Sequence, residues 1–249
     1  MGKEENTEPT ETPSLLVSVR NIKEARLLRG CGCDIIDVKE PANGPLGKAD
    51  DETIASIADA LPADVTMSVA LGELSELPDT VHVSDSVSYL KLGLANVTAN
   101  WRERWQAARE KIEAAQDSKP RWVAVAYADH EAAAAPSPNA VLQAAIETDC
   151  RVLLVDTFEK VAGRSVFDCL SVERLTTLRE HCERHGLLFA LAGQLRIAHA
   201  DKIRQVAPHI VGIRGAACRG ASRTAAVDPE AVRDFQKAIS ANQVRLHRV

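Results

Sequence analysis

Two kinds of stretch alternate along the chain. Short runs of almost unbroken apolar residues fall at 15–19, 34–40, 65–71, 89–94, 121–129, 151–157, 187–193 and 210–215. Apolar character held over so few residues predicts strands covered on both faces, the habit of a parallel sheet. Between them lie longer segments with apolar positions every three or four residues. These predict helices over 23–30, 50–60, 101–116, 139–148, 172–185, 196–206 and 229–239. Asn21 can cap the first, acids crowd the first turn after Asp50, and Gly186 stands where a glycine ends a helix. The segment 72–88 shows no clear period and is given one short helix.

The pattern reads as eight strand-then-helix units with no linker between about residues 15 and 240. Count, order and length agree on an α/β fold, a single-domain (β/α)8 TIM barrel over 14–240. A doubly wound open sheet is the competitor. It usually has fewer strands, and no GxGxxG follows the first one here, so no dinucleotide or other cofactor is called for. The polar start, MGKEENTEPTETP, is expected to be a disordered leader over 1–13, with a C-terminal tail over 241–249.

Composition narrows the partners. A net charge of −5 argues against nucleic acid or an anionic membrane, so any anion site must be local. No run of about 18 apolar residues is present to span a membrane. Six cysteines without a secretory signal point to reduced thiols and a cytoplasmic protein. His181, Cys182 and His185 could share a helix face, but the glutamate of the zincin pattern is missing. They are read as a polar helix face, with no metal site. A homo-oligomer stays open, because barrels often associate through their outer helices.

The candidate chemistry sits where strands end. In a barrel of this kind the site lies at the C-terminal ends of the strands. The second run, CDIIDVKEPANGPLGKAD, ends in Asp37-Val38-Lys39 and then turns at Pro41. Desolvating either charge alone costs several kcal/mol. Lys91 lies within the fourth run, Asp129 ends the fifth, and Asp156 ends the sixth with Lys160 shortly after. One polar residue at a barrel rim is most simply a solvated one. Two lysines and three aspartates at or within strands are harder to dismiss, since both types are depleted there. Asp37 and Lys39 share parity, so both can point into the barrel mouth.

Lysines suit a specific task. A free lysine is an uncharged amine only about once in 2500 at pH 7. An apolar mouth and a second cation can lower its pKa by roughly 3, which makes the amine nucleophilic. Nearby aspartates can then move protons. This is the apparatus of a Schiff-base aldolase or lyase. The seventh and eighth runs add a different signal: LAGQL and IRGAACRGASR place Gly193, Gly215 and Gly220 where backbone N–H groups can close on an anion. Loops seven and eight are the usual phosphate site of the fold. Arg214, Arg219 and Arg223 supply positive charge in an acidic protein. A second glycine-rich loop, 43–48, follows Lys39 and can cover the site or bind a second phosphate.

LLVSV, CDIIDVKEPANGPLG, YLKLGL, VLLVDT, FALAG and VGIRGAACRG, in this order, resemble the (5-formylfuran-3-yl)methyl phosphate synthase family over about residues 15–240. The resemblance implies a barrel lyase of methanofuran biosynthesis. It would condense two molecules of glyceraldehyde 3-phosphate and release phosphate and water. It also implies that Lys39 forms the Schiff base and Lys91 accepts a proton, with Asp37, Asp156 and Lys160 in support. Phosphate would fall to Gly193, Arg214, Gly215 and Arg219. Two departures stand out. Val161 and Ala162 precede Gly163, where the family pattern has aspartate and glycine directly after the lysine. Glu40 replaces a neutral amide residue. Two other functions fit the residues: a class I aldolase acting on another sugar phosphate, and a non-catalytic protein that binds a phosphorylated ligand.

Overall fold

Eight parallel strands close into a barrel in chain order, β1 pairing with both β2 and β8. The strands are β1 (Ser14–Val19), β2 (Ile35–Val38), β3 (Thr66–Glu73), β4 (Tyr89–Gly93), β5 (Arg121–Tyr127), β6 (Val152–Asp156), β7 (Leu188–Leu191) and β8 (Ile210–Ile213). Around them lie α1 (Ile22–Leu27), α2 (Asp51–Ala60), α3 (Trp101–Glu113), α4 (Pro138–Glu147), α5 (Val172–Arg184), α6 (Ala200–Val206) and α7 (Pro229–Ser240). This computed structural model describes residues 12–240 apart from 63, 79, 82 and 118. The expected leader, but for Thr12 and Pro13, and the expected tail lie outside the described residues. No helix among the described residues is long and apolar enough to cross a membrane.

The barrel is the single-domain α/β architecture that the alternation predicts, with one exception. Among its described residues the third unit has no α-helix. Its strand runs on to Glu73 and is followed by a 3-10 turn over Leu74–Glu76. Pro78, Val81, Val83 and a scatter of Asp and Ser up to Ser88 supply neither a helical period nor helix-forming residues. The helix expected over 196–206 is also shorter. It begins as a 3-10 turn at Ile197–His199 and becomes α6 only from Ala200.

Side chains alternate between two layers, as the period of two along a strand requires. Val17, Val69, Leu90, Leu153, Phe189 and Val211 pack outward under the helices. Leu16, Ile35, Val123, Leu154, Ala190 and Ile210 fill the barrel itself. Two residues further along, these inward positions stop being apolar. Ile35 gives way to Asp37, Tyr89 to Lys91, and Leu154 to Asp156. The apolar filling is therefore a floor, and the charges stand on it.

Candidate active site

A cavity of about 280 Å³ opens above that floor at the C-terminal ends of the strands. Asp37, Lys39, Lys91, Asp156 and Lys160 all line it. Lys91 is 3 % exposed and Asp37 fully buried, and they form an ion pair with Nζ–Oδ1 at 2.5 Å. Ser18 on β1 donates its hydroxyl to the other Asp37 oxygen at 2.9 Å. Burial alone would raise the Asp37 pKa, but the charges of Lys91 and Lys39 outweigh it and the carboxyl is held below its ordinary value. Across the cavity Lys160 pairs with Asp156 at 2.8 Å. The Thr157 N–H also donates to Asp156, at 2.7 Å, and that carboxyl is likewise lowered by Lys160 and Lys39 against its burial.

Lys39 differs from the other two lysines. It is 8 % exposed, and among the described residues the only hydrogen bond of its side-chain amine goes to the carbonyl of Pro45 at 3.2 Å, with no ion pair. Burial draws its pKa down to about 8, helped by the charges of Lys91 and Lys160 and opposed by Asp156 and Asp37. A lysine at that value carries a free amine about one time in ten at pH 7, against one in 2500 for an ordinary one.

The opposite side of the cavity is formed by the loops after β7 and β8. Gly193 and Gly215 line it. Gly193 has φ +99°, and a Cβ there would stand 2.9 Å from Cβ of Val166 and 3.1 Å from Thr157, so the turn admits only glycine. The N–H groups of Gly193, Gln194, Gly215 and Ala216 have no acceptor among the described residues, and all four residues face the cavity. Two side chains bring charge to this wall, Arg196 and Arg223.

The expected arginines behave differently. Arg214 touches the cavity, but its guanidinium is fully engaged elsewhere. It donates to Glu24 at 2.6 and 3.2 Å and to the carbonyls of Ser18, Arg223 and Ala225 at 2.8–2.9 Å. No N–H is left over, so Arg214 braces β8 and its loop against β1 and α1 instead of presenting a fork to a ligand. Glu24, buried beneath it, would be raised by burial, yet hydrogen bonds from Arg214 and Arg20 hold it lowered. Arg219 is exposed and lies outside the cavity lining. Cys182 joins Leu175 and Leu178 on the buried stripe of α5, away from the more exposed His181 and His185, so the three do not share one face.

The chain's relatives share this frame. Residues 15–236 match the family described as 4-HFC-P synthase. A (5-formylfuran-3-yl)methyl phosphate synthase of Methanocaldococcus jannaschii is 32 % identical over 232 residues, spanning 90 % of this chain and 98 % of the relative. One from Methanopyrus kandleri is 35 % identical over 237 residues, spanning 92 % and 99 %. The chain belongs to the 4-HFC-P synthase family. Among solved structures, phosphoribosyl anthranilate isomerase from Thermotoga maritima superposes with a TM-score of 0.61 at 15 % identity, over 92 % of this chain and 98 % of that one. KGPDC from Streptococcus mutans gives 0.56 at 15 %, over 92 % and 97 %. At such identities these two establish the barrel and nothing about the reaction.

One buried pair beside the cavity escapes the sequence pattern. The register of β3 against β4 slips between Ala70 and Glu73, at Gly72 with φ +89°. This bulge inserts one residue and turns Glu73 inward, out of the parity that would have pointed it to the helices. Its carboxylate accepts the Tyr127 hydroxyl at 2.5 Å and the Ala95 N–H at 2.8 Å. A Cβ on Gly93 would collide with that carboxylate. Burial raises the Glu73 pKa against these two hydrogen bonds, and burial beside Glu73 raises Tyr127 well above its ordinary value. The pair buttresses the ends of β3, β4 and β5 next to Lys91 and Asp156. The one trace of it in the sequence is Gly72 directly before Glu73.

Proposed function

We propose that this enzyme condenses two molecules of glyceraldehyde 3-phosphate to (5-formylfuran-3-yl)methyl phosphate, a furan-forming step of methanofuran biosynthesis, through a Schiff base on Lys39. The observation that carries the reading is the contrast among the cavity lysines. Lys91 and Lys160 are each tied to a carboxylate, while Lys39 has none and its pKa is drawn to about 8. The relatives' names supply the product by analogy, and the triose phosphate substrate is part of this proposal.

In this reading one triose phosphate is first isomerised to its ketone form, and the Lys39 amine adds to that carbonyl. The C–N bond forms, and the carbonyl oxygen leaves as water, taking one amine proton and one proton from the medium. The Lys91–Asp37 pair, 2.5 Å apart and facing the same cavity, takes the proton from the middle carbon of the second triose phosphate, which expels its phosphate by β-elimination and becomes an enol. The terminal carbon of that enol bonds to the iminium carbon, because only a bond there makes a ring carbon that carries the phosphomethyl branch. The free hydroxyl of the first triose then closes on the ketone of the second, and loss of the Lys39 amine and of water leaves the aromatic furan, with one inorganic phosphate and two waters released in all, which draws the sequence forward. The Lys160–Asp156 pair stands on the other side to protonate departing oxygens. The unused N–H groups of Gly193, Gln194, Gly215 and Ala216, with Arg223 and Arg196, receive phosphate.

The test is incubation with glyceraldehyde 3-phosphate alone, followed by mass spectrometry for the furan aldehyde phosphate and an assay for inorganic phosphate. Both are expected to appear together. A phosphorylated aldol adduct without phosphate release would make the enzyme an aldolase, and no product would overturn the reading.

A further inference from the structure

The loop after β2 is pinned at its stem and holds two cations at its tip. The Glu40 N–H donates to the Gly47 carbonyl at 2.8 Å, and the Glu40 carboxylate accepts the Ala42 N–H at 2.8 Å. Gly47 leaves no room for a Cβ against the Glu40 carbonyl. Leu46 is buried in the barrel mouth, and its carbonyl takes the Gly72 N–H at 3.0 Å. Between these anchors, Gly44 and Pro45 turn consecutive carbonyls onto two cavity residues. The Gly44 carbonyl accepts from Nη2 of Arg223 at 3.0 Å, and the Pro45 carbonyl accepts from Nζ of Lys39 at 3.2 Å. Gly44 has φ +109° and ψ −174°, a conformation that only glycine adopts readily. The other N–H groups of Arg223 have no partner among the described residues, and its side chain lines the cavity beside Gly215. Two consecutive peptide units therefore join the phosphate wall to the amine.

We propose that Arg223 is a positioning residue that makes Lys39 responsive to phosphate: a phosphate dianion on its guanidinium replaces the Gly44 carbonyl, the Gly44–Pro45 tip is released, and the Pro45 carbonyl withdraws from the Lys39 amine. The inference rests on the Schiff-base reading and deepens it. A guanidinium–dianion pair is charge-assisted and roughly twice as strong as a bond to a neutral carbonyl, so the exchange runs toward phosphate. Arg223 carries the dianion's charge, and what reaches Lys39 is the loss of an acceptor that stabilises its ammonium form. The amine is then free to add to a carbonyl carbon. Phosphate on the substrate thus acts at the covalent step as well as in binding, and the enzyme selects phosphorylated trioses twice.

The test separates the phosphate from the carbonyl. Dihydroxyacetone, which has no phosphate, is incubated with the full chain and cyanoborohydride, with and without phosphite dianion, and the adduct on the Lys39 peptide is quantified by mass spectrometry. Phosphite is expected to raise the trapping rate roughly tenfold in the wild-type chain, and less than about twofold in Arg223→Ala. Arg223→Lys, which keeps the charge without the fork, is expected to fall between, and guanidinium ion added to Arg223→Ala to restore part of the response. Triose phosphate is trapped in parallel. If it marks Lys39 while phosphite leaves dihydroxyacetone trapping unchanged, Arg223 is a binding handle only and the coupling is overturned. An Arg223→Ala chain that responds like the wild type overturns it as well. If triose phosphate leaves no adduct on Lys39 at all, the Schiff-base reading fails, and the coupling falls with it.

Discussion

The ends of β2 and β8 look alike until their hydrogen bonds are counted. Each delivers a buried cation to the barrel mouth, Lys39 at one and Arg214 at the other, and each continues into a glycine-containing loop. Arg214 has every N–H engaged by Glu24 and by three backbone carbonyls. Among the described residues the Lys39 amine has a single neutral acceptor and no carboxylate partner. Burial and position mark both residues equally. Unused hydrogen-bonding capacity separates Lys39 from the brace that Arg214 forms. The same distinction runs inside the β8 loop. Arg223, nine residues after Arg214, offers a largely free guanidinium to the cavity, and its burial lowers its pKa against the pull of Asp156.

The comparison can be broken in order of expected effect. Lys39→Ala should abolish trapping and lower kcat/KM by roughly 10⁴-fold or more, since the covalent route is lost. A variant still trapped by borohydride with triose phosphate would place the nucleophile elsewhere. Arg214→Ala should cost stability before chemistry, about 2–4 kcal/mol in denaturant unfolding, because buried Glu24 keeps only Arg20 and three backbone carbonyls lose their donor. Normal stability with only a raised KM would return Arg214 to the phosphate site. Gly93→Ala drives a methyl into the Glu73 carboxylate and should cost about 1–3 kcal/mol while disturbing the neighbouring Lys91. An unchanged melting curve would show that the Glu73–Tyr127 buttress yields easily.

Smaller effects sharpen it. On the proposed Schiff-base route the free amine of Lys39 is the reactive form, and its population rises with pH and levels off above about 8. The acid limb of kcat/KM should therefore bend near that value. A bend above 10 would mean an ordinary lysine. Arg219→Ala, exposed and away from the cavity, should change stability by less than about 0.5 kcal/mol and leave KM as it was. A several-fold rise in KM would put Arg219 back among the phosphate ligands.

Much of this was legible in the chain. Alternating apolar runs and helical periods marked eight strands, and of the five odd charges in those runs Asp37, Lys39, Lys91 and Asp156 line one cavity, whereas Asp129 accepts the N–H groups of Phe158 and Glu159 in the loop after β6. Strand patterns are legible because a doubly buried strand tolerates few polar residues, so each exception is conspicuous. Arginines in loops carry no such contrast. Arg214, Arg219 and Arg223 are equivalent in sequence, and their distinct fates depend on partners up to 196 residues away. Glu73 was hidden for another reason: a bulge changes parity, and the two-residue period then assigns the side chain to the wrong face.

The sequence by itself determined the barrel, the order of its strands and the set of charges at its mouth, because periodicity is local and a strand's two faces follow from alternation alone. Only the tertiary structure decided which of those charges is left without a partner. That depends on which carboxylates and carbonyls the folded loops bring within about 3 Å of each cation, a distance at which hydrogen bonding is all or nothing. Pairing gave Asp37 to Lys91, Asp156 to Lys160 and Glu24 to Arg214, and it left Lys39 with a lone carbonyl in a buried wall.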